Sequence, residues 1–107
     1  MVKRARTEAL FRSVNERIAE SAQRFDTDRA DFVCECADPD CTHRVEATLK
    51  EYEEVREDAT TFLLTAGHAD REIERVVRDR GRFHIVEKIQ RTVRDTVRRL
   101  DPRAETV

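Results

Sequence analysis

The sequence predicts an α+β fold in which a small antiparallel sheet is flanked by helices, with long amphipathic helices near both termini. Apolar residues recur at three- and four-residue steps in the first and last quarters of the chain, which is the helical period. Shorter segments between them alternate or are continuously apolar, as strands do. Three cysteines fall within one eight-residue segment between two of these strands. At 107 residues, we expect one domain over 1–107.

The first predicted helix spans 8–25, with Thr7 as its N-cap. Its apolar positions fall on one face, which we expect to pack on the core. These positions are Leu10, Phe11, Val14, Ile18, Ala22 and Phe25.

A hairpin is predicted next, with strands over 31–34 and 44–47. The loop between them, 35–42, contains the turn sequence Asp38-Pro39-Asp40. Thr48 and Glu51 then form a capping-box pattern, which predicts a helix running to about Asp58.

The second half of the chain is predicted to contain a strand at 62–64, a turn at 65–67 that delivers His68, and a helix from Asp70 to the stop at Gly81. Ile73, Val76 and Val77 would face inward from that helix. A strand over 82–87 and a helix over 88–100 follow, and Asp101-Pro102 ends the helix. The last helix would bury Ile89, Val93, Val97 and Leu100.

The composition predicts a thin core and many exposed charges. Hydrophobic residues make up 38% of the chain and charged residues 41%, and a chain this short buries only a modest share of its surface. The net charge is -2, but residues 31–70 carry -8 whereas residues 1–30 carry +2 and residues 71–103 carry +5. An acidic middle between basic ends indicates either internal charge pairing or a separate basic binding face.

The cysteine cluster is typical of a metal site. Cys34-x-Cys36-x4-Cys41 places three thiols on one tight loop, and an odd, crowded set does not fit a disulfide framework. Thiolates favour zinc, which takes four tetrahedral ligands. The fourth ligand has three candidates. His68 is favoured because a turn can aim its ring, His43 stays open because it shares the side of Cys41 on a strand, and His84 lies within a strand.

A site closed by four protein ligands leaves no position for a catalytic water, which argues against zinc hydrolysis. The His-x-Glu and Pro-Cys-x-x-Cys segments of the zinc deaminases do not occur in the sequence. With two glycines, the chain has no glycine-rich phosphate loop. We therefore expect a protein that is not an enzyme, with no small-molecule substrate identified.

Four segments together carry a resemblance to a known group. They are Phe11-Arg-Ser-Val-Asn-Glu-Arg-Ile18, Cys34-Glu-Cys-Ala-Asp-Pro-Asp-Cys41, Leu49-Lys-Glu-Tyr-Glu-Glu-Val-Arg56 and Ala66-Gly-His68. The chain resembles small uncharacterised zinc-binding proteins of high-GC actinobacteria over about residues 8–88, although it has Ala66 where that group has Pro. The resemblance implies a zinc site that pairs the cysteine loop with the Gly-His turn. It therefore implies His68 as the fourth ligand.

We expect a zinc-stabilised interaction module, a regulatory adaptor that binds a protein partner or a second copy of itself. One alternative is a nucleic-acid-binding regulator that uses the basic terminal helices, among them Arg91, Arg94, Arg98 and Arg99. Another is a redox or zinc sensor, because oxidation of the thiolates would release the metal. No apolar run approaches the length of about 20 residues that spans a bilayer. We accordingly expect a cytoplasmic protein with no membrane contact.

Overall fold

A computed structural model describes residues 2–104. The chain forms α1 (Val2–Arg24), β1 (Arg29–Val33), β2 (Arg44–Thr48), α2 (Leu49–Val55), β3 (Thr61–Thr65), β4 (Glu74–Asp79), β5 (Phe83–Lys88) and α3 (Arg91–Arg99). The predicted α+β class, with antiparallel strands and a long first helix, is confirmed. The last helix has only nine residues, so it is shorter than predicted.

The strands form two antiparallel sheets, where the sequence predicted one. β1 and β2 pair as a hairpin, from Arg29 opposite Thr48 to Val33 opposite Arg44. The second sheet has the order β3-β5-β4, with β5 in the centre. Because side chains alternate along β3, Phe62 and Leu64 join one apolar cluster while Leu63 joins the other.

The core consists of two apolar clusters, one on each face of strands β3 and β5. The first contains Cys34 and Cys36 together with residues of α1, β3, β5 and α3, so the cysteine loop belongs to the core. The second contains the β1–β2 hairpin, α2 and the other face of β3 and β5, with the rings of Phe32 and Tyr52 stacked at 4.5 Å.

The helix predicted over 70–81 is wrong, because these residues contain strand β4. Only one turn forms at its start, where the Asp70 carbonyl accepts from the amides of Ile73 and Glu74 at 3.0 Å. The β-branched Val76 and Val77 favour extended backbone. Gly81, at φ 78°, closes the hairpin between β4 and β5 instead of ending a helix. Val76 and Val77 are 44% and 39% exposed on this edge strand, not inward-facing.

The predicted inner face of α1 is also wrong, and so is Thr7 as its N-cap, since the helix begins at Val2. Leu10, Val14 and Phe25 are 63%, 39% and 73% exposed, and of the predicted apolar face only Ala22 is buried. The side of α1 that packs on the domain consists of alanines and paired polar groups. Its buried residues are Ala5, Glu8, Ala9, Arg12, Asn15, Glu16, Ala19 and Ala22.

The other predicted helices are confirmed with shifted ends. The capping box of α2 is present, with the Glu51 amide donating to Thr48 Oγ1 at 3.0 Å and the Thr48 amide donating to Glu51 Oε1 at 2.8 Å. In α3, Gln90 is the N-cap. Val93 and Val97 are buried as predicted, whereas Ile89 and Leu100 lie outside the helix at 46% and 39% exposure.

Candidate metal centre

The long connection of the β1–β2 hairpin holds the three cysteines. The Cys34 amide donates to the His43 carbonyl at 3.1 Å, which extends the strand pairing by one step beyond Val33. At the far end, the Cys41 amide donates to the Asp38 carbonyl at 3.1 Å, so the predicted Asp-Pro-Asp turn folds the loop back. The backbone thereby brings the three thiols of an eight-residue segment to one point.

His68 reaches the loop from the turn that follows β3. Its amide donates to the Thr65 carbonyl at 3.1 Å, and Gly67 within that turn has φ 86°, a conformation that favours glycine. The Glu35 amide donates to the Leu63 carbonyl at 2.8 Å, which holds the cysteine loop beside β3. Two separate segments of the chain therefore converge on the cluster.

The four predicted ligand residues lie together. One ligand atom from each of Cys34, Cys36, Cys41 and His68 lies within 4.8 Å of the others. His68 Nδ1 is 3.6 Å from Cys34 Sγ and 3.7 Å from Cys41 Sγ. Tetrahedral zinc with ordinary bond lengths separates a sulfur and a nitrogen ligand by about 3.6 Å. The donor set and its spacing therefore fit one zinc ion.

Hydrogen bonds orient and polarise the thiols of the cluster. The pKa of Cys34 is lowered to about 5, chiefly by a hydrogen bond from the Cys36 thiol. The Thr65 amide, 3.2 Å from Cys34 Sγ, and His68 lower this pKa further, whereas burial raises it. The pKa of Cys36 is raised by that same hydrogen bond and by burial. Because a thiolate is the form that ligates metal, Cys34 is the thiol of this pair that is more readily deprotonated.

The other two histidines lie outside the group of four. His43 is exposed, and its ring centre lies 4.6 Å from that of His68 with the rings edge to face. His43 contributes to the loop through its backbone carbonyl, which accepts from the Cys34 amide. His84, on β5, has its Nε2 3.5 Å from an Asp79 carboxylate oxygen. The described geometry thus places His68, and neither alternative, among the thiols.

A buried polar network, which the sequence reasoning missed, lies behind the loop. Glu35, between two of the cysteines, is fully buried and accepts from the Leu63 amide at 3.0 Å and from Asn15 Nδ2 at 2.8 Å. Asn15 also holds both backbone groups of Val33, at 2.8 and 2.7 Å. Arg12 Nη2 lies 3.5 Å from Glu35 Oε1, and Arg12 Cζ lies 3.5 Å from the centre of the Phe62 ring. This network fixes the cysteine loop to α1.

A second buried cluster lies one helical turn before Arg12 on α1, where it borders the same Phe62 ring. Lys88 Nζ contacts the carboxylates of both Glu8 and Glu74, and all three residues are buried. Burial raises the pKa of Glu8 to about 9. The neighbouring Glu74 raises this pKa as well, whereas Lys88 lowers it. A protonated Glu8 leaves one cation and one carboxylate in the cluster, which is the neutral arrangement that a buried site favours.

The acidic middle and the basic ends of the chain pair with each other. Arg82 contacts Glu51 at 2.9 Å, Arg80 contacts Glu54 at 2.6 Å, and Arg103 contacts Glu53 at 2.8 Å. The acidic face of α2 is therefore covered in part by arginines of the C-terminal third. The charge pattern allowed either internal charge pairing or a separate basic binding face, and internal pairing accounts for these residues.

Comparison of the chain with models of known protein families, with curated proteins and with solved structures finds no match. Within residues 2–104, no helix combines the length and the apolar character needed to cross a membrane.

Proposed function

We propose that this protein is a zinc-stabilised, non-enzymatic interaction module, a cytoplasmic regulatory adaptor whose folded surface engages a protein partner or a second copy of the chain. The observation that carries the proposal is the convergence of three thiols and one imidazole within 4.8 Å. Membership of the actinobacterial group that the sequence resembles stays a prediction.

The donor set supports a structural role for the metal. Four protein groups complete the tetrahedral shell of zinc, whereas catalytic zinc sites retain a position for water or substrate. Cys34 and Cys36 are 1% and 2% exposed and belong to the apolar core. A metal held there crosslinks the hairpin loop to the turn after β3, and structural zinc contributes about 10–16 kcal/mol of binding free energy to folding.

The outward side of α1 supports an interaction role. It presents Leu10, Val14 and Phe25 to solvent while its other side contributes alanines and polar groups to the core. A helix that exposes its more apolar side has a surface that its own domain does not use, and such patches mark interaction sites.

The proposal is tested by elemental mass spectrometry on the wild type, His68→Ala and His43→Ala. We expect one zinc per chain in the wild type and in His43→Ala, and loss or marked weakening of zinc binding in His68→Ala. Circular dichroism with and without a chelator provides the second readout, since removal of a structural zinc unfolds the loop and the core around it. A wild type without zinc, or His68→Ala with one zinc per chain, would contradict a zinc site closed by these four residues.

A second candidate, binding of nucleic acid, is favoured by α3. Arg91, Arg98 and Arg99 form no ion pair with the carboxylates described within 2–104. Binding through phosphates predicts an affinity for DNA or RNA that falls steeply with added salt. A gel-shift experiment at low salt that finds no complex eliminates this candidate.

A further inference from the structure

The outward face of α1 carries a continuous apolar stripe. Leu10, Val14 and Ile18 are spaced by four residues and therefore lie one above another on the helix. Phe25 continues the stripe beyond the last helical residue, because its amide still donates to the Ser21 carbonyl at 3.0 Å. From Leu10 to Phe25 the stripe is about 22 Å long, which corresponds to about four turns of a partner helix.

The two edges of this stripe differ. One edge borders an open groove of about 340 Å³ between α1 and β1. Part of the groove's lining is apolar and consists of Ile18, Ala22, Phe25 and Ala30. A concave apolar groove beside a helix fits a second helix better than it fits a flat lipid surface.

The opposite edge is basic. Arg6, Arg17 and Arg24 are exposed, and none of them pairs with a carboxylate in the part of the chain that the structure describes. The exposed carboxylate of α1 is Glu20, since Glu8 and Glu16 are buried. The arginine side chains of this edge are therefore available to pair with acidic groups of a molecule that binds the stripe.

The same charges disfavour a second copy as the occupant. A two-fold symmetric contact through α1 brings the same patch against itself. Pairing the helix with an antiparallel copy across Val14 sets Arg24 near Arg6 of the other copy, and like charges at an interface weaken binding.

We propose that the stripe of α1 binds an amphipathic helix of another protein, one whose apolar seam is bordered by aspartate or glutamate on the side that meets Arg6, Arg17 and Arg24. The inference rests on the proposed interaction role and names the surface and the partner chemistry. The apolar seam would lie in the groove beside β1, and the acidic border would pair with the arginines.

The test uses two synthetic helical peptides of about three heptads that share one leucine seam. One has glutamate along its border and the other lysine. Isothermal titration with the zinc-loaded full chain is expected to give at least about tenfold tighter binding of the glutamate peptide, a difference of about 1.4 kcal/mol. The double variant Arg17→Glu/Arg24→Glu is expected to reverse this preference. The double variant Leu10→Ser/Phe25→Ser should lose binding of the glutamate peptide.

The matched control is Val76→Ser, because Val76 is 44% exposed on β4, away from the stripe. It should bind the glutamate peptide like the wild type. Zinc content and the unfolding midpoint are measured on every variant, so that failure of this surface is distinguishable from failure of the metal site. A surface variant that keeps its zinc and its midpoint reports on the stripe alone.

Equal affinity for the two peptides, or binding of neither by a zinc-loaded wild type, would overturn the proposal. So would light scattering that finds a concentration-dependent dimer lost in Leu10→Ser/Phe25→Ser, which would make a second copy the occupant. Binding to anionic vesicles or to single-stranded RNA that is lost in Arg17→Glu/Arg24→Glu would likewise replace the acidic helix with a polyanionic surface.

Discussion

Replacing Asn15 by leucine should loosen the cysteine loop from a distance. Asn15 is fully buried on α1 and has no contact with a thiol among its hydrogen bonds. Its amide group binds the Val33 carbonyl, the Val33 amide and the Glu35 carboxylate, the residues immediately before and after Cys34. Leucine has the same branched arrangement of four side-chain heavy atoms and can form none of these hydrogen bonds.

The size of the effect follows from the groups left behind. In Asn15→Leu the amide and the carbonyl of Val33 lose their Asn15 partner, and an unsatisfied buried group costs about 1–3 kcal/mol. Glu35 keeps the Leu63 amide and Arg12 but loses one charge-assisted hydrogen bond. The added apolar burial offsets about 1–2 kcal/mol. The net loss in the free energy of unfolding is therefore about 2–5 kcal/mol, a large part of the 5–15 kcal/mol typical of a domain.

Two measurements on Asn15→Leu test this reasoning: urea unfolding of the zinc-loaded protein and competition for zinc with a chromophoric chelator. We expect the lower stability to appear also as zinc binding weakened by at least about tenfold, because Glu35 separates two of the ligands. Gln23→Leu is the matched control, since it makes the same exchange of amide for methyl groups at an exposed position of α1. An Asn15→Leu protein within about 1 kcal/mol of the wild type and with unchanged zinc affinity would refute the anchoring role.

Three further substitutions follow from the buried charges and the turn. The pKa of Glu8 is about 9 in the folded state, whereas its ordinary value is 4.5. Between these two pH values the folded state holds one proton more than the unfolded state. The free energy of unfolding therefore falls as pH rises from about 4.5 to about 9, by up to about 1.4 kcal/mol per pH unit. Glu8→Gln, which resembles the protonated acid, should flatten this slope in urea unfolding measured from pH 5 to 9. Gly67→Ala should cost about 1–2 kcal/mol, because φ 86° strains any other residue, and should weaken zinc binding in the chelator competition. Arg56→Met should lower the free energy of unfolding by about 1.5–3 kcal/mol, because Glu16 and Asp101 each lose a charge-assisted hydrogen bond while Arg103 still pairs with Glu16. The half-exposed Arg80→Met should change it by less than about 1 kcal/mol.

The sequence predicted best what depends on short-range chemistry. The cysteine spacing, the Asp-Pro-Asp turn, the Gly-His turn and the capping box each involve a few neighbouring residues, and the structure contains all of them. Whether the ion that fits this cluster is zinc stays a prediction. The helix over 70–81 failed because the helical spacing of Ile73, Val76 and Val77 is equally compatible with an edge strand whose valines are exposed. Residues 74–79 form a strand because they pair with β5, and the local sequence of β4 carries no sign of that pairing.

The burial of α1 could not be predicted because periodicity identifies the more apolar side of a helix, and the domain buries the other side. Alanines allow α1 to approach the sheets closely, and the polar residues between them find partners on several other elements. Arg12 donates to the Ala59 carbonyl at 2.9 Å, and Glu16 accepts from Arg56 and Arg103. Since those partners are at least 40 residues away in sequence, the α1 pattern alone contains no signal that its charges are satisfied.

The segment from Phe11 to Ile18 therefore contains two sets of residues with different roles. Arg12, Asn15 and Glu16 face the domain, where each has a partner that fixes the cysteine loop or α2. On the opposite side, Val14 is 39% exposed, and Phe11 and Ile18 are only half-buried. If the inward set alone mattered, polar residues at the outward positions would give a more soluble helix with the same core. The apolar outward set beside a fully engaged inward set is the reason that we propose two roles for α1, an anchor for the cysteine loop and a docking surface.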